Sequence, residues 1–259
     1  MLYLIALVSG IAVGLLAGAL GIGGGVLAVP ILVYILGQPP HAAIAESLVI
    51  VLASALAALP SRIKRRQLRL RMGLAFGVFS SLGAIFGSWL NAKADPNLMM
   101  FAFGVMLCGV AILMFFRGLK TRRDENNPAP AAPPAEIPFT WRTLPVVVPV
   151  GFAVGILVGF FGIGGGFVVV PVLMLIMRYS IRVASGTSFA VIIVSALVSL
   201  ATRFGFAVDF NILIALAFAL GSAVGSAIGS PLSNRARAST LTFIFVVLLA
   251  VVATAILVF

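Results

Sequence analysis

A seventeen-residue string occurs twice in this chain and constrains its architecture more than any other feature. Residues 14–30, GLLAGALGIGGGVLAVP, align without gaps on residues 155–171, GILVGFFGIGGGFVVVP, with ten of seventeen positions identical at an offset of 141. The correspondence continues: Ser47 matches Ser188 and Arg62 matches Arg203 at that offset, and with one inserted residue the GSWL of 87–90 matches the GSPL of 229–232. Similarity at a fixed offset marks a duplicated structural unit. The chain therefore divides into halves, 1–117 and 143–259. Between them, residues 118–142 replace apolar runs with charge, five prolines and small residues. That stretch reads as a linker on the cytoplasmic side, with no helix expected in its middle.

Both halves are too apolar for water. Hydrophobic residues make up 62% of the chain and charged residues 9%, with a mean hydropathy of +1.25; a soluble domain carries about 25% charged residues. The runs 43–60, 72–90, 97–117, 184–202, 210–229 and 239–259 each approach the length that takes a helix across a hydrocarbon core of about 30 Å. The solvent is thus the lipid bilayer, and the reading is an all-α, multi-pass protein of the bacterial inner membrane. A net charge of +11 points to nucleic acid in a soluble protein, but here the basic residues lie in short loops between apolar runs. They read as topology signals, and no nucleic-acid partner is expected. Residues 1–20 lack the basic leading segment of a secretory signal and are expected to stay in the mature chain. Cys108 is the sole cysteine, which excludes an internal disulfide and a cysteine-based metal or redox centre.

Each half reads as five apolar elements: a first segment (3–20, 143–161), a short one after the glycines (24–37, 165–178) and three longer ones. The short element is about 21 Å long as a helix, too short to span comfortably. The glycine-centred pair is therefore expected to form a broken helical hairpin. An odd number of crossings per half inverts the second repeat relative to the first. With Met1 outside, this topology puts fifteen of the seventeen basic residues on the cytoplasmic side, among them the Arg62 to Arg71 cluster, leaving only Lys93 and Arg203 outside. Eight crossings in parallel repeats split them twelve to five, so the positive-inside rule favours inverted halves whose hairpin tips approach each other near the midplane.

The GIGGG strings interrupt apolar helix at about 1 kcal/mol per glycine relative to alanine. Backbone that leaves helical geometry at membrane depth is tolerated only where protein or a wet cavity satisfies its polar groups. Such a break aims the free N–H groups and positive dipole end of the next helix at the interior, which is an anion site without a charged side chain. The residues that present it are Gly21, Gly23, Gly24 and Gly25 in the first half and Gly162, Gly164, Gly165 and Gly166 in the second. No basic residue falls inside an apolar run, Arg117 and Arg178 only ending one, so main-chain donors are expected to carry the anion. The isolated glycine patterns at 14/18, 83/87 and 221/225/229 read instead as close helix packing.

The doubled G-x-GGG-x4-P motif, Gly21 to Pro30 and Gly162 to Pro171, followed by Gly186, Thr187 and Ser188, resembles the sulfite exporter TauE/SafE family of membrane transporters. The resemblance covers both hydrophobic halves and omits only the linker. It implies a carrier, acting in export, for sulfite, a sulfonate or a related organic or sulfur oxyanion, without a cofactor. The first half departs from the pattern, with Ala45, Glu46 and Ser47 in place of Gly-Thr-Ser.

Ser47, Thr187 and Ser188 open the apolar runs that follow the hairpins, where their hydroxyls can donate to an oxyanion or bond back to the preceding turn. Glu46 is the one acid within a membrane run away from the loops, and such residues mark ion pathways. It is the candidate for a coupling proton. Arg203 and Asp209 flank an external loop and read as a pair, and His41 reads as a loop residue beside Pro39 and Pro40. No nucleophile-base set, carboxylate pair, metal-spaced cluster or phosphate loop occurs, so no enzyme is expected. An anion channel calls for a continuous polar lining, and a structural membrane protein without transport for a soluble domain or long tail; the sequence shows neither.

Overall fold

The computed structural model describes residues 2–126, 140–161, 165–203, 211–233 and 236–258, with no side-chain description for Pro96, Asn97, Thr202 and Arg203. The described residues are helical, with no strand among them. In chain order the elements are α1 (Leu2–Leu20), α2 (Gly25–Pro30, continued by a π-helical turn over Ile31–Ile35), α3 (Pro40–Lys64), α4 (Leu70–Asn91) and α5 (Pro96–Asn126). A 3₁₀ turn, Trp141–Thr143, leads into α6 (Leu144–Phe161), followed by α7 (Gly166–Ile176), α8 (Ile181–Arg203), α9 (Ile212–Leu232) and α10 (Ala238–Val258). Among the described residues, eight helices are long and apolar enough to cross a membrane by length and composition, while α2 with its π turn and α7 fall short. The protein is a multi-pass, all-helical membrane protein.

The breaks fall where glycine is required. Gly21, Gly23 and Gly24 have φ of 77°, 72° and 86°, and Gly165 has 71°, a left-handed region that a side chain penalises. Pro30 lies within α2, where its missing N–H and bulky ring break the helical ladder. The chain widens there into a π turn, closed by Leu36 N–H on the Ile31 carbonyl at 3.0 Å.

Three boundaries differ from the sequence reading. His41 is not in a loop: α3 starts at Pro40, whose fixed φ suits a first helical position, and His41 lies in its first turn. Arg62 is not in a loop: α3 runs on through Lys64, and the Arg62 side chain is fully buried. The reason is tertiary, because the α1 C-terminus lies beside it and offers carbonyl acceptors. Helix α5 continues through Asn126, well into the stretch assigned to the linker. Its Arg, Lys and Glu residues are good helix formers, and Glu125 anchors its end by accepting from Ser239 N at 3.3 Å and Ser239 Oγ at 2.5 Å. The middle of the linker lies outside the described residues.

The helices pair across the two halves. Helix α1 runs alongside α9 in the same direction: Gly10, Gly14 and Gly18 face Phe218, Ser222 and Ser226, and Gly221, Gly225 and Gly229 face Leu7, Ile11 and Leu15 in return. Helix α6 runs with α4 in the same manner, Gly155 and Gly159 facing Ser80 and Ala84 while Gly83 and Gly87 face Phe152 and Ile156. A Cβ on Gly14 would lie 2.1 Å from Ser222 O and one on Gly155 2.0 Å from Ser80 O, so backbone meets backbone directly. Helix α3 lies against α9, with Ser54 Oγ donating to Ser226 Oγ at 3.1 Å, and α4 lies against α8. Helices α3 and α8 cross in the centre and α5 packs on α10. Large side chains such as Phe116, Leu220 and Val247 point outward, as a surface bathed in lipid requires.

Candidate functional site

The end of the second glycine string meets the first break in the interior. A Cβ on Gly166 would sit 2.5 Å from the Ile22 carbonyl oxygen, so the start of α7 rests on the first break. A Cβ on Gly21 would sit 2.1 Å from Ser185 Cβ, which places the same break against the start of α8. Gly23 lies between Val51 of α3 and Ile192 of α8, and Gly24 faces Val13 and Ala17 of α1. Both returning helices begin alike: Leu27 and Ala28 N–H share the Gly24 carbonyl at 3.1 and 2.9 Å, and Val168 and Val169 N–H share that of Gly165 at 3.0 and 2.8 Å. The amides just before these, Gly25 and Val26 in one half and Gly166 and Phe167 in the other, belong to the first turn, which has no intrahelical acceptor. Gly162 and Gly164 lie outside the described residues, as do Asp209 and the side chain of Arg203.

The hydroxyls flank the breaks. Ser188 Oγ lies 2.5 Å from Gly21 O and 2.8 Å from Ser185 O, both acceptors for its one proton. Thr187 Oγ1 accepts from Arg69 N at 3.1 Å, tying α8 to the α3–α4 loop, where Gly186 also packs on the Gln67 carbonyl. Ser47, the counterpart of Ser188, donates back to Ile44 O at 2.8 Å. All three hydroxyl residues are fully buried. Ser188 is thus joined to a glycine break, whereas the bonds of Thr187 and Ser47 run to a loop and to the preceding turn.

Glu46 is fully buried one residue before Ser47. Its Oε1 accepts from Asn211 N at 2.9 Å, at the start of α9, where a carboxylate is favoured by the helix dipole. Its Oε2 has no hydrogen-bond partner among the described residues.

Two polar groups at the breaks were not singled out from the sequence. Arg62 Nη2 donates to Gly18 O at 2.9 Å and Ala19 O at 3.1 Å, capping α1 immediately before Gly21, while Nη1 donates to Gln67 Oε1 at 3.0 Å. Its guanidinium lies 6.0 Å from the Phe189 ring centroid. The match of Arg62 with Arg203 in the repeat was the available signal. The second group is Ser222 Oγ, buried without a partner among the described residues and 3.8 Å from where a Cβ of Gly24 would lie. Ser80, one of the residues facing α6, is likewise buried with an unpartnered hydroxyl.

Among the described residues, eight spanning-length helices and two short ones that follow the glycine strings, with the start of α7 resting on the first break, define a membrane-embedded protein with irregular backbone held inside it. Residues 6–256 match the family described as sulfite exporter TauE/SafE, and the chain belongs to that family of membrane transporters. A protein of Xylella fastidiosa (strain 9a5c) described as "Probable membrane transporter protein" is 36% identical over 186 residues, covering 70% of this chain and 66% of that relative. The chain thus spans just under two thirds of that relative's length. The Bacillus subtilis (strain 168) "Probable membrane transporter protein YunE" is 28% identical over 211 residues, 76% of each chain. No solved structure matches the chain at a significant level.

Proposed function

We propose that the chain is a secondary transporter that exports a small anion, such as sulfite, a sulfonate or a related oxyanion, through alternating access at the meeting point of the two glycine breaks. The observation that carries this reading is the cross-half contact of Gly166 with Ile22 and of Ser188 with Gly21. It places the break in one half against the parts of the other that flank its own break, as expected for carriers built from repeats around a shared site. The helix directions support inversion of the halves. Helix α1 is parallel to α9 and α3, and α6 is parallel to α4 and α8. The start of α8 lies by the end of α3, where Arg62 meets Phe189 and Gln67 meets Gly186, so these two sets oppose each other.

The anion is held by main-chain N–H groups at the starts of α2 and α7, with Ser47, Thr187 and Ser188 assisting. In the present conformation the Gly23 and Gly24 hydrogens face Val51, Ile192, Val13 and Ala17, so the breaks are closed by apolar packing. Rocking of one half against the other uncovers them alternately, and Glu46 exchanges the coupling proton.

The test is flux of labelled sulfite in proteoliposomes, in competition with sulfate, a sulfonate and thiosulfate, with and without a proton gradient. Saturable counterflow that accelerates with anion on the far side supports a carrier. Flux that rises linearly with gradient and shows no counterflow makes the protein a channel and overturns the reading.

A further inference from the structure

We propose that Arg62 supplies the fixed positive charge for the transported anion. This rests on the anion-carrier reading and deepens it. The guanidinium is completely buried, and none of the described residues gives it a carboxylate within ion-pair distance. Its acceptors are neutral carbonyl and amide oxygens, and its Nε–H has none among the described residues. A buried cation without a counter-charge carries a desolvation cost of several kcal/mol. Neutral acceptors lower that cost, but an anion removes more of it.

The surroundings fit an oxyanion. Arg62 binds the last carbonyls of α1, so its side chain lies one turn from Gly21. Gly21 touches Ser185 and Ser188, whose helix carries Arg182 in its first turn. Arg182 and Arg65 lie within electrostatic reach of Arg62. Arg182 has the same features in milder form: Nη2 donates to Ala236 O at 2.8 Å, and its buried Nε has no partner among the described residues. A guanidinium Nε–H and the Nη–H beside it form a planar donor pair of the kind that grips carboxylate, sulfonate or sulfite oxygens. In the closed state the Nη2 of Arg62 is held by the Gly18 and Ala19 carbonyls and only Nε–H is open; in the loaded state Nη2 leaves the α1 cap and the completed pair turns to the anion beside Gly21 and Ser188. Because one residue serves both the break and the ligand, anion binding is felt directly at the first hairpin.

The experiment compares sulfite-dependent thermal stabilisation of detergent-purified wild type, Arg62→Gln, Arg62→Lys and Arg182→Gln. A pure cap lowers the midpoint without ligand and leaves the ligand-dependent increment alone. The expected result is sulfite affinity at least tenfold weaker in Arg62→Gln, recovery to within tenfold of wild type in Arg62→Lys, and a smaller loss in Arg182→Gln. Folded Arg62→Gln with wild-type affinity overturns the assignment and leaves the carrier reading standing. Absence of sulfite stabilisation and flux in the wild type overturns the carrier reading itself, and the assignment with it. Should Arg62→Gln not fold, ¹⁵N-arginine-labelled wild type decides. The Nε resonance missing from the Arg62→Lys spectrum shifts on sulfite titration if the proposal holds, and stays in place at saturating sulfite if it does not.

Discussion

Ser188 Oγ lies 2.5 Å from the carbonyl oxygen of Gly21, joining a helix of the second half to the break in the first. Gly21 has φ of 77° and packs on Ser185, so this contact holds the break by a hydrogen bond and by direct backbone approach. Ser188→Ala is expected to cost about 1 kcal/mol, the usual net worth of a buried hydrogen bond. Gly21→Ala is expected to cost more, because it adds left-handed strain to a contact at 2.1 Å. Unfolding midpoints in mixed micelles check the order; equal midpoints for the two variants contradict it.

The glycine-lined pairs α1 with α9 and α4 with α6 separate from the breaks by their response to size. Gly14→Val and Gly155→Val drive a side chain into carbonyl oxygens at 2.1 and 2.0 Å, and neither is expected to yield monodisperse protein. Gly37 has φ of 66° but open space around it, so Gly37→Ala is expected to cost only about 1–2 kcal/mol of backbone strain. Size-exclusion profiles and melting curves distinguish the two classes.

Glu46→Gln keeps an oxygen to accept from Asn211 N–H, so the start of α9 stays anchored and the melting point is expected to move by less than about 1 kcal/mol equivalent. If Glu46 carries the coupling proton, the variant exchanges sulfite across liposomes but gains nothing from an imposed proton gradient. Gradient-driven flux equal to wild type assigns Glu46 to anchoring α9 alone.

Inverted halves place the linker and the chain end on opposite faces. In a Cys108→Ala background, Phe259→Cys is expected to react with a membrane-impermeant maleimide on intact cells, and Ala131→Cys only after permeabilisation. Reaction of both from the same side removes the inversion.

Much of the fold was legible because the duplication made each half a check on the other. The GIGGG strings located both breaks, and positive φ at Gly21, Gly23, Gly24 and Gly165 is the conformation that four glycines in apolar helix demand. Glu46 and Ser188 stood out because polar groups are scarce in these runs. Arg62 was hidden by its neighbours. It precedes Lys64, Arg65 and Arg66, so it read as one more solvated loop charge, and only the return of α3 to the α1 C-terminus buries it. Ser222 and Ser80 were illegible for a different reason: a serine in an apolar helix commonly bonds to its own preceding turn, and nothing local reveals that these two do not. The extension of α5 was masked by charge, which ends an apolar run without ending a helix.

The crosswise pairing of α1 with α9 sets a timetable for synthesis. About 190 residues lie between the end of α1 and the start of α9, which at roughly 5–20 residues per second is about ten to forty seconds on the ribosome. Throughout that interval the glycine face of α1 has no protein partner, and the same holds for α4 until α6 emerges. The first half therefore enters the membrane as loosely associated helices with their notched faces towards lipid, and it acquires its final packing only when the second half threads between them. Assembly is a late event, and damage to α9 is felt first in α1, a helix made long before it.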